Sequence, residues 1–153
     1  MENNKLVSIE NTRFIFETNF SGDPRRDKYG SDKRYANIVI PEELANELSD
    51  EGFNVKCTNP KDDEYEKTYF VKATVNYDSK YPPRIYLVSG DNRPELLDAE
   101  SVGIIDTMYV RNVNAILSKY YNTKTDKWSL YARTIYVEQE LDSDPFAARY
   151  RRD

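Results

Sequence analysis

The sequence predicts a mainly β domain that carries one main α-helix. Apolar and polar residues alternate in several short stretches, most clearly in KTYFVKATVNY at 67–77, and a period of two places alternate side chains on opposite faces of a strand. Only the stretch 41–52 combines helical spacing of apolar residues with signals for both helix ends. The length of 153 residues suggests a single domain, which at this size buries roughly two-thirds of the surface of its unfolded chain.

The first half of the chain is expected to form two strands and then the helix. The first strand runs from about residue 6 to residue 16 and offers four core candidates: Val7, Ile9, Phe14 and Phe16. A polar loop containing Gly22 and Gly30 follows, and the β-rich segment RYANIVI at 34–40 forms the next strand.

The helix is predicted over PEELANELSDEG, residues 41–52. Pro41 suits the first helical position, glutamates fill the first turn, and Gly52 is placed to end the helix. Leu44, Ala45 and Leu48 form one apolar face. The acids of this segment are therefore expected on the solvated face.

The second half is expected to be almost entirely β. Short strands are predicted at 53–57, 67–77 and 84–89, a helical turn near 99–105, and a long hairpin at 108–121 and 128–139. On the strand 67–77, one face carries Tyr69, Val71, Ala73, Val75 and Tyr77, and the other places Phe70 beside Lys72, which is unusual for a plain solvent face. This arrangement favours an OB-like antiparallel barrel of about five strands over a βαβ fold. We expect one domain at 1–140 and a short acidic and basic tail at 141–153.

The composition excludes several classes of catalytic and metal site. There are no histidines and Cys57 is the single cysteine, so ordinary zinc sites and histidine-based nucleophilic triads are excluded. Asp62, Asp63 and Glu64 could bind a divalent cation, but adjacent acids are more typical of a solvated loop. We expect no catalytic residue, no metal and no cofactor.

Charge is segregated along the chain, although the net charge is −5. Residues 107–137 hold five cations and one acid, a net +4, whereas residues 41–66 hold nine acids and two cations, a net −7. Residues 21–35, here called the basic loop, hold five cations and three acids, a net +2. Because distant charges are screened, a phosphate responds mainly to the local field.

Cations and aromatic rings are interleaved in the basic loop and in the hairpin. Rings stack on nucleic-acid bases while lysine and arginine neutralise the phosphates between them, so both segments are candidates for binding a single strand. The alternative is structural: a charged loop with internal Asp–Arg pairs, and a Tyr–Arg ladder on the sheet surface. In the hairpin, alternation places Arg111, Lys119 and Tyr121 on one face of the outgoing strand, and Tyr131, Arg133, Ile135 and Val137 on one face of the return strand.

The chain resembles a family of small tailed-phage proteins of the single-stranded DNA-binding type. The resemblance covers nearly the whole chain and depends on KYGSDKRYANIVIPEELANELSDEGFNVK, YPPRIYLVSG, ESVGIIDTMYVRNVNAIL and the final hairpin. It implies an OB fold and an accessory role in phage DNA replication or recombination. The lone Cys57 suits a reducing compartment, so we expect the host cell cytoplasm as the location.

Our hypothesis is a non-catalytic, sequence-tolerant single-stranded DNA-binding protein. Phosphate contacts are assigned to Arg25, Arg26, Lys28, Lys33, Arg34, Lys72, Arg111, Lys119 and Arg133. Base stacking is assigned to Tyr29, Tyr35, Phe70, Tyr121, Trp128 and Tyr131.

Two kinds of protein partner are also considered. The segment EQELDSDPF resembles the acidic tip by which bacterial single-stranded DNA-binding proteins recruit partners, so Asp142, Asp144 and Phe146 are partner-binding candidates, although AARYRRD follows them. Exposed edges of short strands could pair two subunits in a homodimer. The alternative function is a protein-binding module or DNA mimic that acts on a host factor through its acidic surface.

Overall fold

The computed structural model describes residues 5–58 and 66–141. In these ranges nine strands form one sheet: β1 (Leu6–Thr12), β2 (Phe14–Asn19), β3 (Arg34–Ile40), β4 (Lys56–Cys57), β5 (Tyr69–Val75), β6 (Arg84–Val88), β7 (Glu95–Leu97), β8 (Val110–Asn122) and β9 (Lys127–Gln139). The helix α1 spans Glu42–Asp50, and 3₁₀ turns span Pro24–Arg26 and Val102–Thr107.

The prediction of a mainly β, OB-like fold with one main helix is confirmed, and the sheet is larger than expected. Its main path runs β1-β8-β9-β5-β3-β2, with β4 beside β5, β6 beside β9, and β7 beside β6. Most pairs are antiparallel, but β5 and β6 both run parallel to β9. The sheet is therefore mixed and does not close into a complete barrel.

The core lies on the inner side of the sheet. The face predicted for β5 is confirmed, because Val71, Ala73 and Val75 are buried while Lys72 is exposed. The helix α1 buries Ala45 and Leu48 against the same core, so it lies on the inner side. No helix in the described part of the chain is long and apolar enough to cross a membrane.

Several element boundaries differ from the sequence prediction. The first strand is divided at Arg13 into β1 and β2, and Pro41 is the residue before the helix rather than its first position. The strand β7 was not predicted, and the expected strand at 53–57 is reduced to Lys56–Cys57.

A bulge in β9 changes the direction of its side chains. Ile116 pairs with Thr134 and Leu117 pairs with Ala132, which leaves Arg133 without a partner on β8. An extra residue of this kind interrupts the alternation of faces. The single face predicted for the return strand is therefore wrong: Tyr131 lies on the outer side, whereas Ile135 and Val137 are buried inside.

Candidate nucleic-acid interface

Two arginines of the basic loop are held by neighbouring acids and backbone. Arg25 makes a bidentate contact with Asp23, with its Nη2 2.9 Å from Asp23 Oδ2, and these hydrogen bonds lower the pKa of Asp23. Arg26 donates to the carbonyls of Thr18 at 2.9 Å and Asp106 at 3.1 Å, and its Nε lies 3.6 Å from the Asp106 carboxylate. Arg25 and Asp23 therefore form an internal Asp–Arg pair of the kind expected in the structural alternative, whereas Arg26 is held by a residue outside the loop.

Arg34 is likewise engaged by the fold. Its Nη1 donates to the carbonyls of Phe20 at 2.9 Å and Ala99 at 2.7 Å. Its guanidinium carbon also lies 5.1 Å from the centre of the Tyr77 ring. These contacts tie the start of β3 to the segment before the second 3₁₀ turn.

The other predicted binding residues of the basic loop reach solvent. Tyr29 is 85% exposed, and Lys28 Nζ lies 5.6 Å from the centre of its ring. Lys33 is exposed as well. These three side chains are free to meet a ligand that approaches the loop.

A continuous outer face runs across the middle of the sheet, on the side away from α1. Register places Tyr35 of β3 beside Thr74 of β5, and Thr74 beside Tyr131 of β9, which is in turn opposite Ser118 of β8. The outer face consists of Phe16, Tyr35, Asn37, Val39, Phe70, Lys72, Thr74, Ser118, Tyr120 and Tyr131.

Aromatic pairs lie on both sides of a cation on this face. Phe16 and Phe70 meet edge to face with ring centres 5.3 Å apart. Tyr120 and Tyr131 meet in the same way at 5.7 Å. Between these pairs, Lys72 Nζ lies 4.4 Å from the centre of the Tyr35 ring. Across the sheet, the Phe16–Phe70 pair is therefore followed by Lys72 on the ring of Tyr35 and then by the Tyr120–Tyr131 pair.

Hydrogen bonds fix the position of Tyr35. Its hydroxyl donates to Asp27 Oδ1 at 2.8 Å, while Asp27 Oδ2 accepts from the backbone N–H groups of Tyr29 and Ser31. The N–H of Ser31 and the Tyr35 hydroxyl lower the pKa of Asp27. Burial, together with the bond to Asp27, raises the pKa of Tyr35. The ring beneath Lys72 is thus held in place by the basic loop.

Phe16 was predicted to be a core residue, and that prediction is wrong. Its side chain is 66% exposed and its φ is +62°, a left-handed conformation that a bulky residue rarely adopts. The register between β2 and β3 shifts after Ile15. This irregularity turns Phe16 outward onto Phe70.

The predicted residues at the hairpin tip lie on the inner side of the sheet. Trp128 packs against Phe53 and Tyr121 with ring centres 5.4 Å and 5.0 Å away. The side chain of Lys119 is 11% exposed and its Nζ lies 2.6 Å from Glu51 Oε1. Trp128, Tyr121 and Lys119 therefore make contacts within the protein near the end of α1.

The two predicted arginines of the hairpin are both exposed, and each is the unpaired residue of a bulge. Val110 pairs with Gln139 and Asn112 pairs with Glu138, which leaves Arg111 without a partner on β9, near the open end of the hairpin. Arg133 is the extra residue of the bulge in β9 and borders a groove next to the outer face. Only Arg133 is brought close to Tyr131 and Ser118.

This groove opens where the outer edge of β9 changes partner. β5 pairs with Leu130 and Tyr131, β6 pairs with residues 134–138, and the chain leaves the sheet between them at 76–83. The groove has a volume of about 870 Å³ and is lined by Asn76, Tyr77, Ser79, Lys80, Tyr81, Pro82, Pro83, Arg84, Leu96, Leu97, Asp98, Ser118, Tyr131, Ala132, Arg133 and Thr134.

Lys80, Tyr81 and Arg84 were not predicted as binding residues, because they lie between the predicted strands 67–77 and 84–89 or at the start of the second, outside the basic loop and the hairpin. The sequence pattern that could have identified them is the one used for the basic loop, namely cations beside an aromatic residue: Lys80, Tyr81 and Arg84. The partner-binding candidates Asp142, Asp144 and Phe146 lie outside the described residues, as do the adjacent acids at 62–64.

The chain matches one protein-family model over residues 2–151, with the description "Putative phage ssDNA-binding domain". A comparison with curated proteins finds no match. The single-stranded DNA-binding protein from bacteriophage Enc34 aligns with 97% of this chain and 92% of its own, with a TM-score of 0.54 and 10% identity. The structure of that protein in complex with ssDNA covers 90% and 88%, with a TM-score of 0.52 and 9% identity. At these identities the likeness shows a shared fold.

Proposed function

Because the chain belongs to the phage ssDNA-binding domain family, we propose that it coats single-stranded DNA through the outer face. In this role it is a non-catalytic accessory protein of phage DNA replication or recombination. The strand lies across β2, β3, β5 and β9, and its bases stack on the aromatic side chains.

The proposal depends on the order of rings and cation on a sheet face that no helix of the described residues covers. Stacking on an aromatic side chain contributes about 1–3 kcal/mol per base and accepts every base. Lys72, fixed on Tyr35, supplies a positive charge between the two ring pairs. The face therefore suits a strand whose sequence varies.

The residues proposed to contact DNA are a subset of the sequence candidates with one addition. They are Phe16, Lys28, Tyr29, Lys33, Tyr35, Lys72, Tyr131 and Arg133. Phe70 is only 7% exposed, so it supports the ring of Phe16 from below rather than contacting a base itself. We assign Arg25, Arg26, Arg34, Lys119, Tyr121 and Trp128 to stabilising the fold, because each makes the protein contacts described above.

The acidic surface supports the alternative function less well. Glu42, Glu43 and Glu47 are exposed on α1, whose opposite side buries Ala45 and Leu48. This is the ordinary distribution of a solvated helix. A DNA mimic acting on a host factor would not bind a single strand, so one experiment separates the two functions.

The test is fluorescence anisotropy of a labelled thirty-base oligothymidine, titrated at low and moderate salt with duplex DNA as the comparison. We expect saturable binding that weakens with salt and weaker binding to duplex. Lys72→Ala should weaken binding, whereas the matched control Lys124→Ala at the hairpin turn should not. Failure of the wild-type protein to bind at low salt would contradict the proposal.

A further inference from the structure

We infer that the groove beside the β9 bulge is a second nucleotide-binding site, which holds the part of the strand that has left the outer face. The inference rests on the proposed function and adds three residues to the binding surface: Lys80, Tyr81 and Arg84. Four observations support it: the position of the groove, its charge, its rings and its polar groups.

The groove continues the outer face. Tyr131 belongs to both surfaces, since it pairs with Thr74 and Ser118 and also lines the groove. Ala132 and Arg133 form the floor, where β9 pairs with neither β5 nor β6. Because Tyr131 and Ser118 belong to both surfaces, the groove adjoins the outer face beside Thr74.

The charge of the groove favours phosphate. Its lining contains the cations Lys80, Arg84 and Arg133 and the single acid Asp98, a net charge of +2. Asp98 Oδ1 accepts hydrogen bonds from Ser101 and Glu100. Among the described residues, none of the three cations is within ion-pair distance of a carboxylate. The three cations are therefore not held in ion pairs with the described residues, and the net charge of the lining stays positive.

The ring of Tyr81 lies in solvent rather than in the core. It is 80% exposed at the rim of the groove, and Lys80 Nζ lies 5.6 Å from its centre. Pro82 and Pro83 follow it directly, and a proline fixes its own φ and restricts the residue before it. A ring held out on a stiff segment beside a cation is suited to stacking on a base.

Polar groups complete the site. Ser118 and Thr134 bring hydroxyl groups, and Asn76 accepts the N–H of Asp78 through its Oδ1, which leaves its amide N–H groups for a ligand. The volume of about 870 Å³ lies within the range of small-molecule sites. Cations, rings and hydrogen-bonding groups together match a nucleotide better than an apolar peptide.

The test measures binding of a labelled sixteen-base oligothymidine as a function of salt, with variants on the groove. Arg84→Ala should reduce the log–log salt slope by about 0.7, the value for one phosphate contact on a single strand. Tyr81→Ala should weaken binding about 5-fold or more through loss of one stacked base. Arg84→Lys should keep the slope, because the positive charge remains.

Matched controls and outcomes keep this inference distinct from the proposed function. Lys124→Ala removes an exposed cation and Tyr109→Ala an exposed tyrosine outside the groove, and both variants should bind within twofold of wild type. Wild-type binding together with unchanged affinity and slope in Arg84→Ala and Tyr81→Ala would overturn the inference and leave the proposed function intact. A loss in Arg84→Ala that Arg84→Lys does not restore would also overturn it. Absence of wild-type binding would overturn both.

Discussion

At the scale of single residues, cationic side chains on two adjacent strands have different roles. Arg34 gives its hydrogen bonds to the carbonyls of Phe20 and Ala99, whereas Lys72, on the adjacent strand, lies on the exposed side of the sheet. Composition alone cannot separate these roles, because the difference lies in which backbone groups the folded chain leaves without partners.

Phe16 offers a prediction that separates stability from binding. Glycine adopts a positive φ easily, so Phe16→Gly relieves the left-handed strain of a bulky residue and offsets the lost contact with Phe70. We expect a free energy of unfolding within about 1 kcal/mol of wild type and weaker binding to oligothymidine. Urea unfolding and anisotropy measure the two effects. A variant that binds DNA like wild type would show that Phe16 is not part of the interface.

The lowered pKa of Asp27 predicts that the free energy of unfolding depends on pH. Hydrogen bonds from Ser31 and Tyr35 hold its pKa in the folded protein below the ordinary value of 3.8. The stability that the carboxylate contributes is therefore present above pH 3.8 and is lost as the pH falls through the lower, folded-state pKa.

We expect Asp27→Asn to be less stable than wild type at pH 7, with the difference shrinking as the pH falls below 3.8. Urea unfolding at a series of pH values measures it. Asp32→Asn, an exposed carboxylate of the same loop, is the control for charge. A difference that stays constant down to acid pH would contradict the explanation.

At the scale of elements, the second 3₁₀ turn fixes the end of β2. The side chain of Asp106 is 2% exposed, and its carboxylate accepts from the Thr18 hydroxyl and from the N–H groups of Phe20 and Ser21. Arg26 lies beside it. This cluster connects the turn, β2 and the basic loop through one buried carboxylate.

Asp106→Ala should therefore destabilise the protein strongly. It leaves two backbone donors and the half-buried Arg26 without their acceptor, which costs about 3–5 kcal/mol in comparable buried pairs. Urea unfolding measures the loss, and Asp91→Ala, an exposed acid, is the control. A decrease in the free energy of unfolding below about 1 kcal/mol would contradict the prediction, because changes that small are typical of surface substitutions.

The elements also show how far sequence reasoning extends. β3, β5 and the long hairpin were predictable because their apolar residues follow a clear period of two. The outward direction of Phe70 and Lys72 followed from the same period. The bulge at Arg133 was not predictable, since an extra residue leaves no mark on composition but changes the face of every following side chain. The structural roles of Arg26 and Arg34 depend on contacts with residues 80 and 65 positions away, which a local pattern does not reveal.

At the scale of the whole molecule, an acidic protein presents a cationic surface. The net charge is −5, yet the basic loop, the outer face and the groove together expose six cations proposed to meet phosphate: Lys28, Lys33, Lys72, Lys80, Arg84 and Arg133. The acids of α1 are on the other side of the core. Because salt screens charges beyond about 8–10 Å at ordinary ionic strength, the field of each charged surface acts only close to that surface.

This separation predicts how steeply binding depends on salt. If four to six of these cations contact phosphates, the log–log slope is about −3 to −4, since each contact contributes about −0.7. An increase from 50 to 200 mM salt should then weaken binding to a thirty-base oligothymidine by roughly 60- to 250-fold. The measurement is the titration of the wild-type protein at four or five salt concentrations. A slope shallower than about −1 would mean that at most one of the six meets a phosphate, and binding would then depend on stacking alone.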